Sequence, residues 1–171
     1  MQSHFELFGL PPAFGLDKQA LEKAYREIQS RVHPDRFAHA GDAERRASLQ
    51  WTTRVNEAYR VLKDPVQRAK HILELHGVDV AFETNTHMPS DFLLQQLELR
   101  EELEAALRKK DASRLDALRT ALYGQTCVLE GQIGDAIDRK KDFEEAAGQV
   151  RKLMFLDRLD AEIDEAYEEI E

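Results

Sequence analysis

The sequence predicts an all-α protein with two helical domains, and three observations support this prediction. Apolar residues recur at helical spacing along most of the chain. Of the 171 residues, 42% are hydrophobic and 33% are charged, with only 8 Gly and 5 Pro, which is typical of long, solvated helices around a packed core. Helical periodicity fades between about 76 and 91, where turn residues cluster. We therefore expect one domain at 1–76, a linker at 77–90 and a three-helix domain at 91–171.

Four helices are predicted in the first domain. A short helix over 3–9 ends at Gly9, and Asp17 is placed to cap the second helix. The second helix has an inward stripe of Leu21, Ala24, Tyr25, Ile28 and Val32. A third helix starts near Asp42 and ends before Pro65, with a predicted buried side of Ala47, Trp51, Val55, Ala58, Tyr59 and Leu62. A short fourth helix follows, and the two long helices form an antiparallel hairpin.

The turn of this hairpin carries His33-Pro34-Asp35. Proline removes a backbone donor and pushes the residue before it out of the α region, so the helix must end at His33. His33 and Asp35 are then held on a rigid bend, where a partner can reach them. The alternative is that both side chains only cap helix ends.

The second domain is predicted to contain helices at about 91–109, 111–138 and 142–169. At about 100° per residue, one face of the first helix has Phe92, Leu99, Leu103, Ala106 and Leu107. A second apolar group lies roughly 100° to 200° away, beside the acidic residues Glu98, Glu101 and Glu104, and consists of Leu93, Leu94 and Leu97. Such a patch fits a partner surface, packing against the first domain, or a wider core.

The last helix changes its apolar stripe near residue 155. An early stripe of Phe143, Ala147, Val150 and Met154 is followed by a later one of Leu156, Leu159, Ile163, Ala166 and Ile170. Residues 153–156 are apolar all round, so one of the four should face away from the core. We expect this residue to be Phe155, because it fits neither stripe.

Composition and charge exclude several classes of function. Residues 1–76 carry 12 Lys and Arg against 10 Asp and Glu, whereas 77–171 carry 12 against 23, so neither part resembles a nucleic-acid binder. No apolar stretch approaches 18 residues and no secretory signal is visible, which predicts a cytoplasmic protein. The single cysteine, Cys127, is expected to be buried. No catalytic or metal-binding constellation is present, so we expect neither an enzyme nor a bound cofactor.

The first domain resembles the J-domain of DnaJ-type co-chaperones. The resemblance is carried by AYRE in the second helix, the HPD loop, and NEAYRVLKDPVQRA in the third and fourth helices. It implies that the domain binds an ATPase chaperone of the 70-kilodalton heat-shock class and accelerates its ATP hydrolysis. The implied chaperone-binding residues are His33, Pro34, Asp35, Lys23, Arg26, Arg31 and Arg36. Glu22 and Glu27 stand where such domains are often basic, which favours a dedicated chaperone over a general one.

The whole chain, about 2–170, further resembles the HscB (Jac-type) family of iron–sulfur co-chaperones. This resemblance rests on FELFGLP, MPSDFLLQQLELREEL and VRKLMFLDRLDAEI. It implies two partners, an HscA-type chaperone and an IscU-type iron–sulfur scaffold protein, in a bacterial-type member. The implied scaffold-binding residues are Leu93, Leu94, Leu97, Glu98, Glu101 and Phe155. A J-protein for a different client and a helical adaptor with a vestigial HPD loop remain alternatives.

Overall fold

The chain folds into two helical units, seen in a computed structural model that describes residues 2–80 and 88–170. The units comprise Met1–Gly77 and Val78–Glu171. The first contains helices α1 (His4–Phe8), α2 (Lys18–Val32), α3 (Asp42–Lys63) and α4 (Pro65–Leu75), with a short 3₁₀ helix at Pro34–Phe37. The second contains α5 (Ser90–Lys109), α6 (Ala112–Gly134) and α7 (Phe143–Ile170), with a π-helical turn at Asp135–Lys140. The described residues contain no strand, and the predicted all-α class is confirmed.

Local capping explains where the helices of the first unit begin and end. Ser3 and Glu6 form a capping box on α1, and Gly9 ends that helix in the left-handed conformation at φ 64°. Asp17 caps α2 as predicted, accepting hydrogen bonds from two backbone amides. Asp64 ends α3 and caps α4, whose first residue is Pro65. Helices α1, α2 and α4 therefore each start after a residue whose side chain satisfies their first free amides, whereas α3 starts after Gly41 without a side-chain cap.

The hairpin of α2 and α3 is held by a mixed apolar and polar seam. The rings of Tyr25 and Tyr59 stack with their centroids 4.1 Å apart, and the Tyr25 hydroxyl donates to Asn56 Oδ1 at 2.9 Å. The predicted buried side of α3 is wrong at its start, because Ala47 is exposed and Trp51 is 43% exposed. Ser48 takes the inward position there, and its hydroxyl bonds to the backbone of α2.

The helices of the second unit form an up-down-up bundle. Helix α6 is antiparallel to α7, since Tyr167 donates to Asp116 and Arg119 pairs with Asp164. Helix α5 runs parallel to α7, and its Arg100 binds Glu162 through two hydrogen bonds of 3.0 and 3.2 Å. The predicted core face of α5 is confirmed at its centre, where the buried residues include Phe92, Leu103 and Ala106.

The ends of the bundle helices depart from the prediction in detail. Helix α5 ends at Lys110, which is left-handed at φ 51°, and α6 begins beyond Asp111. The middle helix was predicted as one piece to 138, but regular α geometry stops at Gly134. The π-helical turn then continues to Lys140, and Lys141 is left-handed at φ 57°. The wider turn accommodates one extra residue before the chain reverses into α7.

Several burial predictions for this unit are corrected by the structure. In α7 the core residue is Leu153, which is only 1% exposed, and Met154 is only half-buried. Cys127 is exposed, because it lies on the outer side of α6 away from Leu122 and Leu129. The prediction that Cys127 is buried is therefore wrong, and its side chain is open to solvent.

Most of the described residues of the segment expected as a linker, 78–80 and 88–90, belong to the second unit, whereas Gly77 ends the first. Val80 and Met88 are 3% and 6% exposed, and the Val80 carbonyl accepts a 3.0 Å hydrogen bond from Arg151 of α7. The turn expected at Asn85 lies outside the described residues. Among the residues that the structure does describe, none of the helices is both long and apolar enough to cross a membrane.

Candidate functional site

The HPD loop presents its aspartate to solvent on a short, structured bend. His33 ends α2 with β-like backbone angles, and Pro34 starts the 3₁₀ helix that follows. The Asp35 amide donates to His33 Nδ1 at 3.3 Å, and Asp35 Oδ2 lies 3.5 Å from the same ring nitrogen. The side chains of His33 and Asp35 are 47% and 90% exposed. The capping role proposed as the alternative for His33 does exist, yet both side chains remain accessible.

Three other side chains hold the backbone at the end of α2, directly before this loop. The hydroxyls of Ser48 and Thr52 donate to the Val32 carbonyl at 2.6 and 3.1 Å. The Arg36 guanidinium donates to the Ser30 carbonyl at 2.8 Å. The resemblance assigns Arg36 to the chaperone surface, and that role stays a prediction beside the structural contact. Apolar periodicity does not predict the positions of Ser48 and Thr52, because it assigns polar residues to the exposed side of a helix.

The basic residues predicted on α2 do not form one face. At about 100° per residue, Lys23 and Arg26 lie about 60° apart, whereas Arg31 is about 140° from Arg26. Arg26 is paired with Glu22 at 2.7 Å, and that pair is well exposed. Glu22 also accepts from the Tyr59 hydroxyl at 3.4 Å. The charge on this part of α2 is thus mixed, with Glu22 beside the basic side chain of Arg26.

A pair of histidines lies between α1 and α4, away from the HPD loop. The rings of His4 and His71 have centroids 4.3 Å apart, and the His4 amide donates to His71 Nε2 at 3.2 Å. Burial lowers the pKa of both imidazoles. The pKa of His71 is lowered further by His4, whereas Glu57 and Glu74 partly offset the lowering at His4, and Arg54 adds to it. Folding of the first unit therefore favours the neutral form of both imidazoles.

In the second unit, the apolar patch predicted on α5 is exposed. Leu93, Leu94 and Leu97 are 45%, 61% and 55% exposed, which contradicts the alternative that they belong to a wider core. Glu98 and Glu101 are exposed beside them. Three large apolar side chains within five residues of one helix form an uncommon surface, of the kind that binds a partner. We call these three leucines and two glutamates the leucine patch.

Phe155 is half-buried at the junction of α5 and α7. Its ring meets Phe92 edge-on, with centroids 6.3 Å apart at an angle of 79°. The neighbouring residues Leu153 and Leu156 are each only 1% exposed, so Phe155 does lie off the core stripe, together with Met154. The Arg100–Glu162 pair places α7 on the flank of α5 that also carries Leu93 and Leu97. Phe155 therefore lies on the same side of α5 as these leucines.

Sequence reasoning missed one further feature of α5. Gln96 is 4% exposed on the core side of the helix, and its Nε2 has no hydrogen-bond partner among the described residues. An apolar-periodicity argument cannot place such a residue, because it treats glutamine as a surface residue. No group of three or more metal-ligating side chains is found among the described residues.

These features define a class of protein when they are compared with known families. The family model of the DnaJ domain matches residues 3–71, and the model described as the HSCB C-terminal oligomerisation domain matches residues 88–164. A helical hairpin with His-Pro-Asp at its turn, followed by a separate helical bundle, makes this chain a J-domain co-chaperone.

Relatives with matches along the whole chain identify the family. The co-chaperone protein HscB homolog of Burkholderia thailandensis is 49% identical over 99% of this chain and 96% of its own. Chaperone HscB from Vibrio cholerae has a TM-score of 0.86 at 34% identity and 99% coverage of both chains. Human co-chaperone protein HscB has a TM-score of 0.90 at 26% identity, over 96% of this chain and 81% of its own. The chain belongs to the HscB family of co-chaperones.

Proposed function

We propose that this chain binds an IscU-type iron–sulfur scaffold protein and delivers it to an HscA-type heat-shock chaperone. The HPD loop stimulates the ATPase of that chaperone, and iron–sulfur cluster transfer from the scaffold follows. The cluster is cargo on the scaffold, and this chain needs no cofactor of its own. The proposal also includes the division of labour between a J-domain at 1–76 and a scaffold-binding domain at 91–171.

The observation that carries this proposal is the presence of two exposed surfaces of different chemistry in one chain. The HPD loop is polar and rigidly held, which suits transient docking on a chaperone. The leucine patch is apolar with an acidic rim, and such a surface suits a longer-lived complex with a folded client. A vestigial adaptor would have no need for an exposed HPD loop.

His33, Pro34, Asp35, Lys23, Arg26, Arg31 and Arg36 are proposed to contact the chaperone, and the leucine patch with Phe155 the scaffold. Leucines with about half their surface exposed can be covered completely by a partner, and aromatic and aliphatic anchors of this kind commonly dominate binding. Glu98 and Glu101 at the rim would steer a basic region of the scaffold and set its orientation.

The test is ATP turnover by an HscA-type chaperone with this chain, with and without the IscU-type scaffold. We expect stimulation by the chain alone and a larger, synergistic stimulation by the pair. Stimulation that the scaffold does not change would keep the J-domain function and reject the scaffold as client. No stimulation under any condition would reject the proposal as a whole.

A further inference from the structure

The bend at the HPD motif leaves three carbonyls of α2 without their helical donors: that of Arg31, because the Asp35 amide bonds to His33 Nδ1, and those of Ser30 and Val32. In a continuing helix, the Ser30 carbonyl would accept from the amide four residues later, but that residue is Pro34, which has no N–H. The Val32 carbonyl would accept from the Arg36 amide, but this amide donates to the His33 carbonyl at 3.1 Å. Helix ends of this kind need donors from elsewhere in the structure.

Side chains outside α2 supply donors to the carbonyls of Ser30 and Val32. Arg36, on the far side of the proline, reaches back to the Ser30 carbonyl at 2.8 Å. Ser48 and Thr52, one turn apart on α3, place their hydroxyls 2.6 and 3.1 Å from the Val32 carbonyl. Ser48 is only 4% exposed, so its bond to Val32 is shielded from water. The last carbonyl before His33 is thus fixed to α3 by two hydrogen bonds.

We infer that Ser48 and Thr52 are positioning residues for the HPD loop. They act through the Val32 carbonyl and need not touch the chaperone. With the carbonyl held, the peptide plane that leads into His33 has one orientation, and the bend at Pro34 projects Asp35 in one direction. Without the hydroxyls, the end of α2 can fray and the loop samples several orientations, of which only a fraction can dock. A chaperone that binds only the competent fraction then shows a proportionally weaker apparent affinity.

The variant Ser48→Ala/Thr52→Val removes both hydroxyls and keeps the β-branched shape at position 52. Each net hydrogen bond shifts such an equilibrium by roughly a factor of five, so we expect the half-saturating concentration for ATPase stimulation to rise about fivefold if one bond matters and up to about 25-fold if both do. Maximal stimulation should stay within about twofold of the parent protein, since excess chaperone selects the competent loop. Loss of a direct contact would also weaken affinity at unchanged maximal rate, so a measurement on the loop itself is needed to distinguish positioning from contact.

Two matched variants serve as controls. Thr52→Ser keeps a hydroxyl at the same position and should behave like the parent protein. Thr53→Val removes an exposed hydroxyl that bonds to the Leu49 carbonyl of its own helix at 2.9 Å, and it should also leave stimulation unchanged. If the double variant does not fold, Thr52→Val alone carries the test with a smaller expected effect.

A second measurement does not need the chaperone, which matters because the ATPase readout rests on the proposed function. Backbone amide order parameters of Asp35, Arg36 and Phe37 should fall in the double variant from about 0.85 towards 0.6, while those of central α2 stay unchanged. A folded double variant with unchanged order parameters and an unchanged half-saturating concentration would overturn the inference. A lowered melting temperature with unchanged order parameters would overturn it too, because the hydroxyls would then be merely structural. If the parent protein fails to stimulate any ATPase, the proposed function falls, and the order parameters alone decide the inference.

Discussion

Truncation of the leucine patch should weaken scaffold binding without disturbing the fold. Leu94 and Leu97 are 61% and 55% exposed, so little of either side chain contributes to the core of the bundle. The double variant Leu94→Ala/Leu97→Ala should therefore melt at nearly the temperature of the parent protein, because surface substitutions usually change stability by less than about 0.5 kcal/mol. Alanine also has a higher helix propensity than leucine.

The expected loss of affinity follows from the exposed fractions of these two leucines. Complete burial of a leucine side chain is worth about 1.5–3 kcal/mol. A partner that covers the exposed 61% and 55% would gain about 1.7–3.5 kcal/mol from the two side chains together. The alanine Cβ atoms keep part of this contact, so we expect the lower half of the range, roughly a 20- to 80-fold rise in Kd.

Isothermal titration of the IscU-type scaffold into each variant measures this effect. The matched control is Leu49→Ala on α3, a leucine with 60% exposure in the other unit, and its Kd should stay within about twofold of the parent value. Phe155→Ala is a less clean variant, because loss of the edge-on contact with Phe92 would also destabilise the bundle. A folded double variant that binds the scaffold with unchanged Kd would refute the assignment of the leucine patch.

Three other predictions concern the HPD loop, the histidine pair and the cysteine. Asp35→Ala should abolish ATPase stimulation and leave the scaffold Kd unchanged, because the Asp35 side chain is 90% exposed and supports no core packing. The pKa values of His4 and His71 are lowered in the folded state, so the free energy of unfolding should decrease as pH falls from about 6.5 through the lower folded pKa values, in urea titrations. Cys127 is exposed and should react with a thiol reagent in the native protein at nearly the rate of the denatured chain.

For each of these predictions, a different experimental result would contradict the reasoning behind it. Stimulation that survives Asp35→Ala would remove the HPD loop from the mechanism. For the histidines, His71→Gln keeps an acceptor for the His4 amide without a titrating ring at position 71, and it should reduce the pH dependence below about 6.5, with His4 still contributing. A pH dependence identical to that of the parent protein would show that other groups cause it. A thiol that reacts only after denaturation would contradict the exposed position of Cys127.

Much of the fold was readable from local sequence rules. Asp17, Gly9 and Pro65 set helix boundaries through contacts within a few residues, so their effects hold wherever the helices pack. The helical spacing of Phe92, Leu103 and Ala106 likewise predicted the core face of α5. The same angular argument separated Leu93, Leu94 and Leu97 from that core face, and their exposure in the structure then decided against a wider core.

The places where sequence reasoning failed all depend on contacts between distant helices. Trp51 is apolar and lies beside the buried stripe of α3, yet no neighbouring helix covers it fully. Cys127 lies on a solvent-exposed side of α6. The size of a residue and its helical angle do not reveal where the neighbouring helices end, and this limit decides burial at the edges of a core.

The sequence by itself determined the helical class, the position of the HPD bend and the separation of Leu93, Leu94 and Leu97 from the core face of α5, because each depends on backbone chemistry or on angles within one helix. Only the tertiary structure showed how the HPD bend is fixed. Ser48 and Thr52 are 16 and 20 residues from Val32, and their hydroxyls reach its carbonyl only because α3 packs antiparallel to α2. A carbonyl that loses its helical donor can be satisfied by any nearby hydroxyl, and the packing of the two helices selects which one.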